Sequence, residues 1–488
     1  MSLKNEEYIK NIIREMIALP NETEWVEFKV NKDDPKMIGE YISALSNVAS
    51  ILKREKAYLI WGVDDKTHEI LGTKFDYRDK KNGNEELEAW LLRMLNPRIN
   101  FKFHEVFIDD KKIIVLDIPR AEKQPTKFYG ESYIRVGTNK KKLKDYPEKE
   151  KVLWKSFDDI SDELKIAKEN LNFEEIFNEL NFVEYYKKLE ISLPENKNKI
   201  MEDFINEKFV KKNDAGNYNI TNLGALLISK NIENFDKISH KFVRVIWYKD
   251  SSKLETIRER KFNEGYVVSY EKIIDYITTI IPQEEIIENS IRKIKLSYPE
   301  IAIRELVANI IIHQSIEQKG TSLMIELFDN RIEFSNPGAP LISIDRIVDT
   351  VPISRNEALA GFMHRCGICE ERGSGYDKVI FSTNKYNMLA PKIENQSDKF
   401  TKVTLYSKIP FELTTKKDRI RTCYMHSCLF YVKGEPINNN SVREIFGFEA
   451  KDKYKASRII KDTLEAELIK SVDENTAPRY MKYIPFWA

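Results

Sequence analysis

Cysteine is scarce, with four in 488 residues, too few for a disulfide framework. Glycine and proline number 17 each, which excludes collagen-like and proline-rich chains. No apolar run approaches the roughly 20 residues that span a bilayer. The N-terminus, Met1-Ser2-Leu3-Lys4-Asn5-Glu6-Glu7, places acids where a secretion signal needs an apolar core. An excess of one charge is missing too. Lys+Arg is 79 against 78 Asp+Glu, so a uniformly basic coat is excluded and any nucleic-acid surface must be a local patch. A reduced, cytoplasmic protein without a membrane partner is expected. What is present is 42% hydrophobic beside 32% charged residues, enough to bury cores over a length that suggests about three or four domains. No repeat of the kind that builds solenoids is found.

The punctuation divides the chain. Residues 1–146 read as an α+β unit. It has helices over 6–18, 36–50 and 84–95, a strand in which Val26, Phe28 and Val30 alternate with polar neighbours, and a buried strand at 57–63. A hairpin at 101–108 and 111–118 turns at Asp109-Asp110, and a last strand lies near 133–137. Residues 147–190 read as a charged helical connector and 191–408 as a second α/β unit. Pro410 and Thr414-Thr415-Lys416-Lys417 mark the entry to a tail domain over 409–488.

Pro299 opens a helix over 300–313 that carries Glu305, Asn309 and His313. At i, i+4 and i+8 the three share one stripe roughly 80° wide. A polar stripe on so apolar a helix faces either solvent or a cavity. Downstream come a hairpin across Asp329-Asn330, then Asn336-Pro337-Gly338, then Gly373-Ser374-Gly375 before another helix. A glycine-rich turn at a helix N-terminus offers free N–H groups to phosphate.

This order resembles the GHKL-type ATP-binding fold, in the variant of RecG-like transcriptional regulators. Tyr298-Pro299, Arg304-Glu305, Asn309, His313, 329–333, Asn336-Pro337-Gly338, Arg355-Asn356 and 371–375 carry the likeness. The resemblance implies an α/β sandwich in which Asn309 holds Mg²⁺ and Glu305 orients or deprotonates a water for a slow ATPase. His313, Asn336, Gly338, Gly373, Ser374 and Gly375 then surround ATP, and residues 340–372 cover it as a lid. Where the family has an Asp to read the adenine amino group, this chain has Asn336, whose carbonyl accepts without charge. No G-x-x-x-x-G-K-[ST] loop occurs, so a helicase motor is excluded.

Near the N-terminus, Glu22, Glu27 and Lys29 precede a helix with Ala44 and Asn47, then Leu59-Ile60-Trp61-Gly62-Val63-Asp64-Asp65 and Ile70-Leu71-Gly72. Residues 20–140 resemble the Schlafen/AlbA-type domain, except that Ser50–Glu55 replaces its Gly-Gly turn. The resemblance implies nucleic-acid binding. In some members it implies a metal-dependent ribonuclease, whose Mg²⁺ or Mn²⁺ would sit on Glu22, Glu27 and Asp64 or Asp65. The plainer reading is that Glu27 and Lys29 form a surface ion pair. Between 120 and 144, eight Lys/Arg face two Asp/Glu. Lys123, Lys127, Arg135, Lys140, Lys141 and Lys142, with Lys29, are the expected phosphate contacts, and Phe128, Tyr129 and Tyr133 are interleaved.

The tail reads as three helices and a hairpin, the pattern of a winged helix-turn-helix. Lys451, Lys453, Lys455 and Arg458 lie near the start of its third helix. Cys366-x-x-Cys369 has no second pair at zinc-ribbon spacing. The expectation is a multidomain α+β regulator of transcription, homodimeric, that binds ATP and nucleic acid, DNA before RNA. Nucleotide would set its domain arrangement. The alternative is an ATP-gated metal-dependent ribonuclease acting in defence.

Overall fold

The computed structural model describes residues 3–19, 23–158, 161–288, 291–348, 353–370, 375–473, 476–477 and 480–488. The chain separates into two compact units. The first is Met1–Ser161 with Asn170–Asn172 and Lys212–Asn219; the second is the remainder, Asp162–Glu169, Phe173–Lys211 and Ile220–Ala488.

In the first unit, a four-stranded sheet has the spatial order Val26–Lys29, Lys56–Trp61, Lys111–Pro119, Lys102–Ile108. The first pair is parallel and the other pairs are antiparallel. The expected hairpin turns at Asp109 and Asp110, with φ of 48° and 59°, the left-handed pair that suits strand twist. A second sheet runs Asn139–Lys142, Glu131–Val136, Lys127–Phe128, Leu95–Asn96. The helix Pro35–Ile51 packs on both sheets. Asp34 caps it by accepting from the Met37 N–H, and proline occupies its first turn.

That helix is buried along most of its length, polar residues included. Ser43, Ser46, Asn47 and Ser50 form a stripe at helical spacing, and it serves the irregular chain after Pro119. Ser43 donates to the Thr126 carbonyl at 2.6 Å. Asn47 donates to the carbonyls of Thr126 and Tyr133, at 3.0 and 2.8 Å, and accepts from the Thr126 N–H at 2.7 Å. Buried backbone groups with no strand partner are thereby satisfied. Gly39 clears space on the same helix, because a Cβ there would lie 2.1 Å from the Phe128 ring.

The second unit centres on a six-stranded sheet in the order Thr256–Phe262, Val243–Tyr248, Leu323–Leu327, Arg331–Pro337, Phe400–Tyr406, Lys392–Gln396. Only Val243–Tyr248 and Leu323–Leu327 pair in parallel. The helix Glu300–Ile312 packs against strand Arg331–Pro337 and against helices Tyr266–Ile280 and Gly375–Lys385. Two features differ from the sequence reading. Ile166–Leu171 is a strand within the stretch read as a helical connector. The segments Gln283–Glu288 and Ile291–Leu296 form a separate hairpin.

The tail has helices Lys416–Val432, Asn439–Phe446 and Lys453–Glu465, then a short antiparallel pair, Ile469–Ser471 with Tyr483–Pro485. Thr415 and Asp418 form a capping box, and Gly447, at φ 65°, ends the middle helix. Val348, Ile380 and Ala390 join the tail's apolar core, so the tail lies in the same compact unit as the sheet.

Candidate functional site

The helix Glu300–Ile312 buries Ala302, Ile303, Leu306, Val307, Ile310 and Ile311. Its polar stripe therefore emerges on one side, and that side meets a cavity rather than bulk solvent. Glu305, Asn309 and His313 line a cleft of about 450 Å³. Gly375, at the start of the opposing helix, faces them. A Cβ at Gly375 would sit 3.1 Å from Glu305 Oε2 and 3.8 Å from Asn309 Oδ1. Asn309 Nδ2 is buried without a hydrogen-bond partner, which is costly unless a ligand supplies one. Ile310, Ile342, Ile393 and Val403 add apolar wall.

Asn336 is buried beside this wall. Its amide nitrogen donates to the carbonyls of His313 (3.3 Å) and Pro337 (3.1 Å). Both neighbours are acceptors, so the NH₂ must face them, and the side-chain oxygen remains as the acceptor available to the cleft. His313 also lines the cleft. Burial, with Arg355 adding, pushes its imidazole down to about 4, so it is neutral at pH 7 and brings no positive charge to a phosphate. Gly338 adopts φ +106°, and a Cβ there would meet Arg355 Nε and the Ser315 N–H at 3.1 and 3.2 Å.

Arg355 and Asn356 fasten the end of the polar helix. Asn356 donates to the carbonyls of Ile312 and Gln314, both at 2.8 Å, and Arg355 to those of His313 and Ala339. The described part of 340–372 walls the cleft through Pro340, Leu341, Ile347, Ile353, Glu357 and Gly361. Gly373 and Ser374 lie outside the described residues. Lys378, unremarked in the sequence, places Nζ 3.4 Å from Glu305 and 2.6 Å from Glu370.

Glu163 is a second unforeseen participant. Its buried carboxylate accepts from the Leu359 N–H at 2.9 Å, at the N-terminus of the helix Glu357–Arg365 that walls the cleft. Burial pushes this acid up to about 7. A raised acid favours the fold below its unfolded pKa, and that contribution is lost as pH rises through about 7. Glu163→Gln should therefore gain on the native chain between pH 5 and pH 8, by on the order of 2 kcal/mol. Urea midpoints at the two pH values measure it.

In the first unit, Glu27 is only 2% exposed and forms ion pairs with Arg135 and Lys29. Arg135 is fully buried. This corrects two expectations: Arg135 reaches no phosphate, because it neutralises Glu27, and Lys29 is held by Glu27 and the Phe28 carbonyl. The Glu27–Lys29 pair is accordingly no surface pair either. Asp64 accepts from the N–H groups of Lys66 and Thr67 in a turn, which holds its carboxyl below the usual range, and Asp65 is exposed. Glu22 lies outside the described residues. Among the described residues, no three His, Cys, Asp or Glu side chains come together as a metal site.

Of the remaining cations, Lys123, Lys127, Lys141 and Lys142 are exposed, with Lys142 3.4 Å from Glu131. Lys140 is half-buried, paired with Glu40 and set over the Tyr41 ring. In the tail, Lys453 and Arg458 are exposed. Lys451 pairs with Glu449, and Lys455 pairs with Asp452 near the rings of Phe411 and Phe448.

Comparison with known proteins bears on both units. Residues 22–144 match the family described as "Schlafen, AlbA_2", and residues 320–405 match "Putative ATP-dependent DNA helicase recG C-terminal". The chain joins a Schlafen/AlbA_2 domain to a RecG C-terminal-type domain. This pairing points to a nucleic-acid-related, ATP-binding protein. No curated protein matches the chain. Among solved structures, the DIP2311 protein from Corynebacterium diphtheriae is 14% identical, over 99% of this chain and 97% of that one, at a TM-score of 0.43. The N-terminal domain of a "Putative ATP-dependent DNA Helicase RecG-related Protein" from Nitrosomonas europaea is 20% identical. That alignment covers 26% of this chain and 88% of that one, at a TM-score of 0.19. Among the described residues no helix is long and apolar enough to cross a membrane.

Proposed function

We propose that this chain is an ATP- and nucleic-acid-binding regulator of transcription, in which nucleotide in the Glu305–Asn309–Gly375 cleft sets how the tail is held. The observation that carries the reading is the convergence of Glu305 and Asn309, one turn apart on their helix, with Gly375, 70 positions after Glu305, on one cavity wall. The residues fit the ligand. Gly375 leaves room for phosphate where a side chain would fill it, and the orphaned Asn309 amide supplies the polar contact. The apolar wall suits a purine ring, and the Asn336 oxygen suits its amino group. Mg²⁺ bound with the triphosphate would offset phosphate charge, with Asn309 as its protein ligand. Glu305 would orient a water, and Lys378 competes with that water for the carboxylate, which favours slow turnover.

The route to the tail runs through two elements. Ile347 lines the cleft and also packs on the tail's core. Beside it, the Tyr424 hydroxyl donates to the Asp345 carbonyl and Arg346 lies 4.4 Å over the Trp487 ring. The helix Gly375–Lys385 contributes Ile380 to that core and Asn384 to a 3.1 Å contact with His426. This seam is imperfect. His426 Nε2 and Asn384 Oδ1 are buried without partners, each costing about 1–3 kcal/mol. A seam of this kind can be shifted by modest differences in nucleotide affinity. We read the tail as a winged helix offering Lys453 and Arg458 to DNA, and the first unit as contacting nucleic acid through Lys123, Lys127 and Lys141.

Hydrogen exchange tests the coupling. ATP with Mg²⁺ should change protection in Lys416–Val432 as well as around the cleft. Protection confined to the cleft would contradict the regulatory part.

A further inference from the structure

Of the aromatic residues interleaved in the basic stretch, the fold buries one and half-buries another. Phe128 is buried against Gly39, and the Tyr133 hydroxyl donates to Glu40 at 3.3 Å. Tyr129 is different. Phe128 pairs with Glu131, so Tyr129 and Gly130 form a two-residue hairpin loop, with φ of 51° and 77°. Both values are left-handed, a turn that favours Asn-Gly. A bulky aromatic in that conformation is an outlier, and such outliers gather at functional sites. Tyr129 is the one Phe, Tyr or Trp with positive φ among the described residues.

Tyr129 is 57% exposed, and its ring is braced from behind. Phe128 meets it edge-on at 4.9 Å and Trp90 at 5.9 Å. Its surroundings are cationic. Lys127 lies opposite Ser132, and Lys141 opposite Ile134. Directly opposed residues share a sheet face, as do Ser132 and Ile134 two apart. Exposed Lys127 and Lys141 therefore share one face of this small sheet with the buried Ile134, Lys127 two residues before Tyr129 and Lys141 two strands across from Lys127, while Phe128 and Tyr133 on the other face pack toward the helix Pro35–Ile51.

We propose that Tyr129 is a stacking platform for an unpaired base, with Lys127 and Lys141 engaging the adjoining phosphates. The ligand class is single-stranded nucleic acid, with the base as the recognised group in DNA or RNA. The inference rests on the reading that the first unit contacts nucleic acid, and it adds the strand state and the residue that senses it.

The test uses the full chain with short DNA and RNA oligonucleotides carrying 2-aminopurine, and with duplexes of equal length. Tyr129→Asn suits the turn and should melt no lower than the native chain. The native chain should quench 2-aminopurine and prefer single strands. Tyr129→Asn should lose the quenching and bind single strands about tenfold more weakly, with duplex affinity unchanged. Tyr129→Phe should retain both properties. Comparing the DNA and RNA arms identifies the source of the base. Native single-strand affinity in Tyr129→Asn, or an equal loss for duplex and single strand, overturns the proposal. Native single-strand affinity in Lys127→Glu/Lys141→Glu overturns the phosphate contacts. If the native chain binds no oligonucleotide, the broader nucleic-acid reading fails as well.

Discussion

Glu27→Ala is expected to destabilise the first unit by about 3–5 kcal/mol, because it strands a buried guanidinium. Arg135 is fully buried and pairs with Glu27 from 108 residues away, so no solvent takes over the lost partner. Urea unfolding followed by circular dichroism would show the loss. Pairing Glu27→Ala with Arg135→Met should recover part of it, since no unpaired charge then stays buried, while the cavity left by Glu27 keeps its own cost. The distinction matters for the ribonuclease alternative. An inactive Glu27→Ala protein would ordinarily be taken as evidence of catalysis, but here inactivity would follow from unfolding. Native stability in Glu27→Ala, with Mn²⁺-dependent RNA cleavage abolished, would contradict this assignment and favour the nuclease.

The second large effect has the opposite pattern. Asn309→Ala should weaken ATP binding by at least about 30-fold, the equivalent of roughly 2 kcal/mol. The fold should not suffer, and it should gain on the order of 1 kcal/mol, because the Asn309 amide is already buried without a partner. A residue kept for a ligand burdens the empty protein, and removing it trades function for stability. A thermal melt and a nucleotide titration on one preparation check both halves. A melt well below native would mark Asn309 as structural instead.

The sequence exposes the stripe of Glu305, Asn309 and His313 through helical spacing alone, and the hairpin at Asp109-Asp110 through turn chemistry. It exposes less of what those residues meet. Nothing local announces that Gly375 closes on Glu305, since the two lie 70 positions apart and a glycine offers no side chain to pattern. The pairing of Glu27 with Arg135 is hidden for the same reason, because strand alternation shows a face but not its partner. Of the stripe Ser43, Ser46, Asn47 and Ser50, the sequence reading singles out only Asn47 as a helix residue. The stripe's purpose, to satisfy the loop after Pro119, depends on a chain segment brought in by the fold. Glu163 and Lys378 carried no local signal. Arg355-Asn356 was visible as a motif, but its action on the end of helix Glu300–Ile312 is a tertiary fact.

Titration calorimetry of the native chain with ATP and Mg²⁺, beside Asn309→Ala, tests the central claim most directly. Saturable binding of one nucleotide per chain, lost in the variant while both proteins remain folded, is the predicted result. The absence of binding heat in the native chain at any of several temperatures, or heat that the variant leaves unchanged, would contradict a nucleotide site at Glu305, Asn309 and Gly375.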